Sequence, residues 1–301
     1  MVKVAIMGAT GAVGQEMLSI LEQRRFPCSC LKLLASERSK GKKFPFRGRL
    51  HEVEVLTKSS FEDVDVVLSS AGGSISKEFA PSAVKAGAVV IDNTSAFRMD
   101  KDVPLVVPEV NPEDIKEHNG IIANPNCSTI QMMVVLKPIQ DAVGIKRLVI
   151  STYQAVSGTG KDAIDELMHQ SADILNGCDP VSEVYPHQIA FNCLPHIDVF
   201  FEDGYSKEEM KMVNETHKIL HDDSIGITAT TVRVPVFRCH SESVNVETRS
   251  KLTVEECRKL MEAALNVAVV DDPMKNEYPL AVYGEGRDET YVGRIREDQS
   301  I

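Results

Sequence analysis

The chain has 301 residues, 43% hydrophobic and 26% charged, with no tryptophan, which is long enough for two domains with buried cores and excludes a disordered chain. A formal net charge of -11 argues against nucleic acid as the main partner, because phosphate backbones need a basic surface. Seven cysteines, odd in number and without a Cys-x-x-Cys pair, indicate neither a disulfide framework nor a metal site; no apolar run is long enough to span a membrane and no signal-peptide pattern opens the chain, so a cytoplasmic protein is expected.

Val2 to Met7 reads as a strand that breaks into Gly8-Ala9-Thr10-Gly11-Ala12-Val13-Gly14, followed by a helical pattern with Met17, Leu18 and Leu21 on one side. Strand, glycine turn and helix in this order open a dinucleotide-binding unit, where backbone N–H groups and the helix N-terminus receive a pyrophosphate. Gly8, Thr10, Gly11, Ala12, Val13 and Gly14 are the candidate contacts. The spacing is Gly-x-x-Gly-x-x-Gly, so a tight turn without a ligand is the alternative. The second strand, Leu31 to Ala35, runs into Ser36-Glu37-Arg38-Ser39-Lys40. Glu37 suits the ribose of NAD, but Ser36 and Arg38 suit a 2′-phosphate, which favours NADP. Lys40, Lys42 and Lys43 read as a solvated loop.

Val64 to Leu68 is a strand ending in small residues, among them Ser70, Ala71 and Gly72, that let backbone approach a cofactor; a helix near Ser76 to Ala86 follows. Ala88 to Ile91 is another strand, with Asn93 and Arg98 in the polar stretch after it, and Leu105 to Val107 and Gly120 to Ala123 continue the sheet. In open α/β sheets ligands bind at this carboxyl edge.

The sheet leads to Asn124-Pro125-Asn126-Cys127-Ser128-Thr129, with a helix-compatible run from Ile130 to Ile139 beyond. A cysteine at a strand-to-helix junction lies where the macrodipole and unsatisfied N–H groups stabilise a thiolate, and Ser128 and Thr129 are placed to cap the helix. Cys127 is therefore the candidate nucleophile; the bland alternative is one more small buried hydrophobe.

Beyond this helix the pattern changes, which sets a domain boundary between residues 1–126 and 127–301. Arg147 to Tyr153 reads as a strand leading to Gln154, Ser157 and Gly158; Ala163 to Leu175 is helical and Cys178 to His187 irregular. Lys207 to Leu220 is a helix that sets Glu215 and Lys218 on one face. The alternating segments Ile227 to Phe237 and Val244 to Thr248 suggest a half-open antiparallel sheet. Thr253 to Asn266 is an amphipathic helix, and Thr290 to Arg294 a last strand.

With Gly8 to Gly14, Asn124 to Thr129, Gln154 and Arg233 to His240 in agreement and in order, the chain resembles the bacterial aspartate-semialdehyde dehydrogenases from Val2 to Arg296. The resemblance implies a Rossmann-like dinucleotide-binding domain followed by an α+β catalytic and dimerisation domain, as in glyceraldehyde-phosphate dehydrogenases. The implied activity is reduction of L-4-aspartyl phosphate to L-aspartate 4-semialdehyde with NADPH through a thioester on Cys127, in a homodimer or dimer of dimers and without a metal. His240 is then general acid and base, and Gln154 orients the acyl group. Arg98 and Lys218, with Asn126, would bind phosphate, Arg233 the α-carboxylate and Glu215 the α-amino group; Asn93, Ser157 and Gly158 join the cofactor contacts. Without the family, Glu215 and Lys218 would be read as an intrahelical ion pair worth roughly 0.3 kcal/mol. In the family the last strand leads on to a further Asp-Asn-Leu stretch and helix, so a C-terminal segment is expected beyond Ile301. The competing readings are a related NADP-dependent acyl reductase, for example on a malonyl thioester, and a catalytically silent binding or assembly protein of the same fold.

Overall fold

The structure, a computed structural model, describes residues 2–301. The chain forms two compact units: one holds the residues up to Val106 and Asn111–Pro125, the other Val107–Val110 and Asn126–Ile301. The main division thus falls between Pro125 and Asn126, and a short segment of the first half belongs with the second unit.

The first unit runs β1 (Val2–Met7), α1 (Ala12–Gln23), β2 (Cys28–Ala35), β3 (Lys43–Phe46), β4 (Arg49–Val55), β5 (Val66–Ser69), α2 (Gly73–Lys85), β6 (Val89–Asp92) and β7 (Ile121–Ala123). Its sheet has the order β3-β4-β2-β1-β5-β6-β7, parallel except for the β3–β4 hairpin. β1 is apolar and buried from Val4 to Met7, where both its faces are covered. Ala5 and Met7 pack with Ala80 and Ala83 of α2, whereas Val4 and Ile6 pack with Leu18 of α1.

Two expectations are corrected here. Lys43 opens a strand, not a loop, because Phe44 and Phe46 alternate inward and Phe46 is buried against the β2 side of the sheet. Leu105 to Val107 makes only an isolated bridge, Leu105 to Ala123; Pro104 and Pro108 on either side lack the N–H that a ladder requires.

Strand order reverses between β1 and β5, and there the polypeptide approaches itself closely. Gly8 has φ +89°, and a Cβ on it would lie 2.8 Å from the backbone of Ala71. A Cβ on Gly14 would lie 2.3 Å from the Gly8 carbonyl oxygen. Glycine at position 8 lets the turn after β1 nest against the turn after β5, and glycine at position 14 lets α1 start close against the turn after β1.

The second unit contains α3 (Cys127–Val143), β8 (Ile145–Gln154), α4 (Lys161–Leu175), α5 (Lys207–Leu220), β9 (Gly226–Arg233), β10 (Ser241–Thr248), α6 (Val254–Ala263), β11 (Val267–Val269), α7 (Ala281–Gly284) and β12 (Thr290–Val292). The expected antiparallel pair does not form. β9 and β10 flank β8 on opposite edges, parallel and antiparallel to it respectively, so the sheet is mixed. β9 stops at Arg233 because Pro235 cannot donate, and Val236 turns back to the Val234 carbonyl. Leu148, Ile150, Thr152 and Gln154 form the buried face of β8, while Arg147 and Tyr153 on the other face are exposed. Loop 181–190 is tied to α4: Glu166 accepts the N–H groups of Glu183 and Val184, and Gln170 those of Ile189 and Ala190.

α3 is joined to β10 through Gln131, whose Nε2 donates 2.8 Å to Glu242 Oε1 and 3.3 Å to the His240 carbonyl. Glu242 Oε2 is sealed from solvent without a hydrogen-bond partner among the described residues. Burial pushes this carboxyl up to about 8, and the Gln131 bond offsets only part of that.

Two outcomes follow from this packing. The folded protein holds a proton on Glu242 that the unfolded chain releases near 4.5, so this group's contribution to stability is complete below pH 4.5 and is lost as pH rises towards 8. Glu242→Gln should abolish that slope and stabilise the protein by roughly 1 to 3 kcal/mol at pH 8, read by denaturant unfolding across pH; parallel curves for the two proteins would count against it. Gly14→Ala should cost about 1 to 3 kcal/mol and weaken NADP binding, as measured by thermal melting and titration calorimetry. Parent-like melting and binding would mean that the turn widens freely.

Candidate active site

Asn126 precedes α3 with extended backbone, φ −61° and ψ 145°, and its Oδ1 accepts the Ser128 N–H at 3.0 Å. It is therefore the N-cap. Cys127 is the first helical residue and is exposed, whereas Ser128 and Thr129, expected to cap, are fully buried inside the first turn. The helix starts earlier than expected because the asparagine side chain reaches the first unsatisfied N–H groups.

His240 follows Cys239, whose φ of 68° turns the chain into β10. Its Nε2 stands 3.2 Å from Cys127 Sγ, and its Nδ1 accepts the Ala155 N–H at 2.9 Å. Burial and then the Arg233 charge pull the imidazole down to about 4, with Glu208 opposing them. Arg233, at the end of β9, is 5% exposed; its Nη1 donates to the Ala155 carbonyl at 2.8 Å, and its Nε is buried with no hydrogen-bond partner among the described residues. Such an orphaned cationic donor is built for an anion. Gly158, expected at the cofactor, lies against these two side chains: a Cβ there would stand 3.0 Å from Arg233 Nη1 and 3.3 Å from the His240 ring. Neighbouring Ser157 donates its N–H to the Phe237 carbonyl.

α5 enters by its N-terminal half. Glu208 Oε1 accepts from Gln154 Nε2 at 3.2 Å and from Asn126 Nδ2 at 3.0 Å, and Oε2 pairs with Lys211 at 2.9 Å. Lys211 also meets Asp198 at 2.9 Å. Burial alone would push the Glu208 carboxyl up, but Lys211, Asn126 and Gln154 hold it below its ordinary range. Glu208, paired with Lys211, thus meets Gln154 and the Asn126 side chain, whereas the notable α5 pair in the sequence is Glu215 and Lys218. Glu215, 1% exposed, accepts the Asn126 backbone N–H at 2.6 Å, and Lys218 is half-buried two turns beyond Lys211. Both pairs are Glu-x-x-Lys on one helix, so spacing could not separate them; the discriminating signal was the position of the pair relative to the Ser206 capping box that opens α5. Ala155 was missed because its contribution is all backbone.

In the first unit, the Gly8–Gly14 turn at the start of α1 meets Ser70–Gly72 as described, and Gly72 has φ +96°. Thr10 Oγ1 lies 3.4 Å from Ser39 Oγ, beside exposed Ser36 and Arg38 at the end of β2; Ala12 and Val13 begin α1. Asn93, after β6, accepts from Asn124 Nδ2 at 2.6 Å, and Arg98 is 7% exposed with Nη2 on the Asn93 carbonyl. A cradle that any Cβ would fill, at the N-terminus of a helix of twelve residues, fits the pyrophosphate of a dinucleotide, and the Ser36–Arg38 exit fits a 2′-phosphate.

Comparison with known proteins agrees with this geometry. Residues 3–118 match the semialdehyde dehydrogenase NAD binding domain, and residues 136–301 the semialdehyde dehydrogenase dimerisation domain. The aspartate-semialdehyde dehydrogenase of Aquifex aeolicus is 58% identical over 99% of this chain and 88% of its own length; that of Legionella pneumophila is 55% identical over 99% and 86%. The crystal structure of aspartate semialdehyde dehydrogenase II from Vibrio cholerae, 51% identical, superposes with a TM-score of 0.97 over 100% of this chain and 90% of that one. A Candida albicans aspartate semialdehyde dehydrogenase solved with NADP, 28% identical, has a TM-score of 0.78 over 99% and 90%. With both domain models matched and more than half of its residues shared with such relatives along nearly its whole length, the chain belongs to the aspartate-semialdehyde dehydrogenase family.

Proposed function

We propose that the chain carries out its family's reaction, the NADPH-dependent reductive dephosphorylation of L-4-aspartyl phosphate to L-aspartate 4-semialdehyde, by way of a thioester on Cys127. The observation that carries this reading is the 3.2 Å contact between Cys127 Sγ and His240 Nε2 at a helix N-terminus. The sulfur bonds to the acyl carbon as the carbon–oxygen bond to phosphate breaks, and phosphate leaves with the electron pair. NADPH supplies the hydride that reduces the thioester. His240 stands at the sulfur, within reach of the oxygen that becomes the hemithioacetal hydroxyl, and serves proton transfer there. Gln154, held by Glu208, orients the acyl group.

The substrate's ends have their own partners. Arg233, with its orphaned buried Nε, suits the α-carboxylate. Glu208 suits the α-amino group and Lys211, which shares Glu208 with Asn126, the phosphate; this moves both roles two turns earlier on α5, since Glu215 is engaged by the Asn126 N–H. The dimerisation domain makes a homodimer the assembly, and the cytoplasm is the compartment that goes with the reading.

The reaction is tested by phosphate-dependent reduction of NADP with L-aspartate 4-semialdehyde. The parent should turn over, and Cys127→Ser should lose about a thousandfold or more in kcat while folding normally; undiminished turnover in the variant would overturn the assignment. For the substrate's ends, Glu208→Gln and Lys211→Met should each weaken substrate or phosphate binding about tenfold or more, as read from KM. Glu215→Gln, whose amide oxygen still accepts the Asn126 N–H, and Lys218→Met should leave KM near the parent's. The reverse pattern would return the roles to Glu215 and Lys218.

A further inference from the structure

We infer that Gln131 and Glu242 are positioning residues for the reaction: together they tie the helix that carries Cys127 to the strand that follows His240, and so set the separation across which the thiol proton passes. This rests on the roles proposed for Cys127 and His240 and adds to them the joint that keeps the two within reach.

The far ends of α3 and β10 are fastened to each other by backbone. The Arg249 N–H donates to the Gly144 carbonyl at 2.8 Å, and the Ser250 N–H to the Val143 carbonyl at 3.3 Å. Cys127 and His240 stand at the opposite ends, 17 helical residues and 8 strand residues away, a span of about 25 Å along either element. With the far fastening alone, a tilt of about 2° between helix and strand would carry the sulfur about 1 Å from the imidazole, and a misplacement of that size costs a reaction about a hundredfold.

Gln131 supplies the fastening at the catalytic end. It stands one turn after Cys127 on the same face of α3, and its Nε2 donates to Glu242 Oε1 at 2.8 Å and to the carbonyl of His240 itself at 3.3 Å. An amide nitrogen carries two hydrogens, so each acceptor has its own. Asn126 holds the start of α3 to α5, and the Ala155 N–H holds the imidazole to the end of β8; Gln131 is the side chain that ties the helix to the strand directly.

Glu242 is the less expected half of the joint, and its chemistry suits the place. Burial keeps its proton on to about pH 8, so it accepts the Gln131 bond without setting an anion beneath the thiol. In the sheet it faces Thr152, whose hydroxyl accepts from Gln154 Nε2 at 3.3 Å, so acid, hydroxyl and the glutamine that orients the acyl group share one face of β8 and β10. A leucine would fill the same space without the stability lost as pH rises. The acid is explained by the bond it accepts and not by the volume it fills.

Variants of the full chain, assayed by phosphate-dependent NADP reduction with L-aspartate 4-semialdehyde, test the joint. Gln131→Met and Glu242→Leu should each lower kcat about ten- to a hundredfold with every KM within about threefold of the parent's, and the two combined should cost little more than either alone, because both break one joint. Glu242→Gln, whose amide oxygen still accepts the Gln131 bond, should bring kcat back to within about threefold of the parent. Independently of turnover, alkylation of Cys127 by iodoacetamide at pH 7, mapped by mass spectrometry, should slow about fivefold or more in Gln131→Met and in Glu242→Leu, because the sulfur loses the imidazole that takes its proton. Exposed Cys30, Cys178 and Cys193 should label at the parent rate in the same samples. Parent-like kcat in both single variants, losses that multiply when they are combined, or unchanged Cys127 labelling would overturn the inference; should one variant fail to fold, the other breaks the same joint from the opposite side. If the parent itself does not reduce NADP, the assigned reaction falls, and the labelling contrast still decides whether Gln131 and Glu242 hold Cys127 to His240.

Discussion

Asn126 is held at both its nitrogens by carboxylates of one helix. Its backbone N–H goes to Glu215 and its side-chain amide to Glu208, two turns apart on α5, and its own Oδ1 caps α3. A buried carboxylate is costly unless every lone pair that has left water finds a donor, so each of these bonds satisfies both partners. Asn126 thus has one position available to it, and with it the first turn of α3. The direction of the Cys127 sulfur, the distance to His240 and the placing of Gln154 all descend from that constraint.

The second constraint is electrical. Arg233 and Lys211 bring two positive charges into a pocket whose walls include Glu208 and Asp198, and the side chain that reconciles them is Glu208, which touches Lys211, Gln154 and Asn126 at once. Burial opposes the Glu208 charge and Lys211 restores it, whereas in Lys211 itself burial opposes the charge and Glu208 with Asp198 restore it. Neither ion is stable there alone.

Much of this was legible in the sequence because it depends on local patterns. The Gly8 to Gly14 turn announces itself by spacing between a strand and a helix, and Asn126-Cys127 by its position at an element junction. The hairpin through Lys43 was hidden because a charged surface strand shows only Phe44 and Phe46 as its signal. The mixed sheet was hidden because alternation tells which segments are strands and says nothing of which edge of β8 each will take. The two Glu-x-x-Lys pairs of α5 lie on one face and repeat after two turns, so one-dimensional spacing describes both equally well. Only the packing of α5 on β9 and α3 brings Glu208 of the first pair to Gln154. Ala155 was invisible in principle, since a backbone N–H and carbonyl carry no residue type.

Gly158 carries a practical consequence. Its backbone is not in the left-handed region, so what keeps the position a glycine is room alone: the space between Arg233 and His240 is kept open by one missing methyl group. For an engineer this is a volume control placed directly beside Arg233 and His240. Successively larger side chains at that point shave the space between Arg233 and the His240 ring, while Cys127, held from α5, keeps its own geometry.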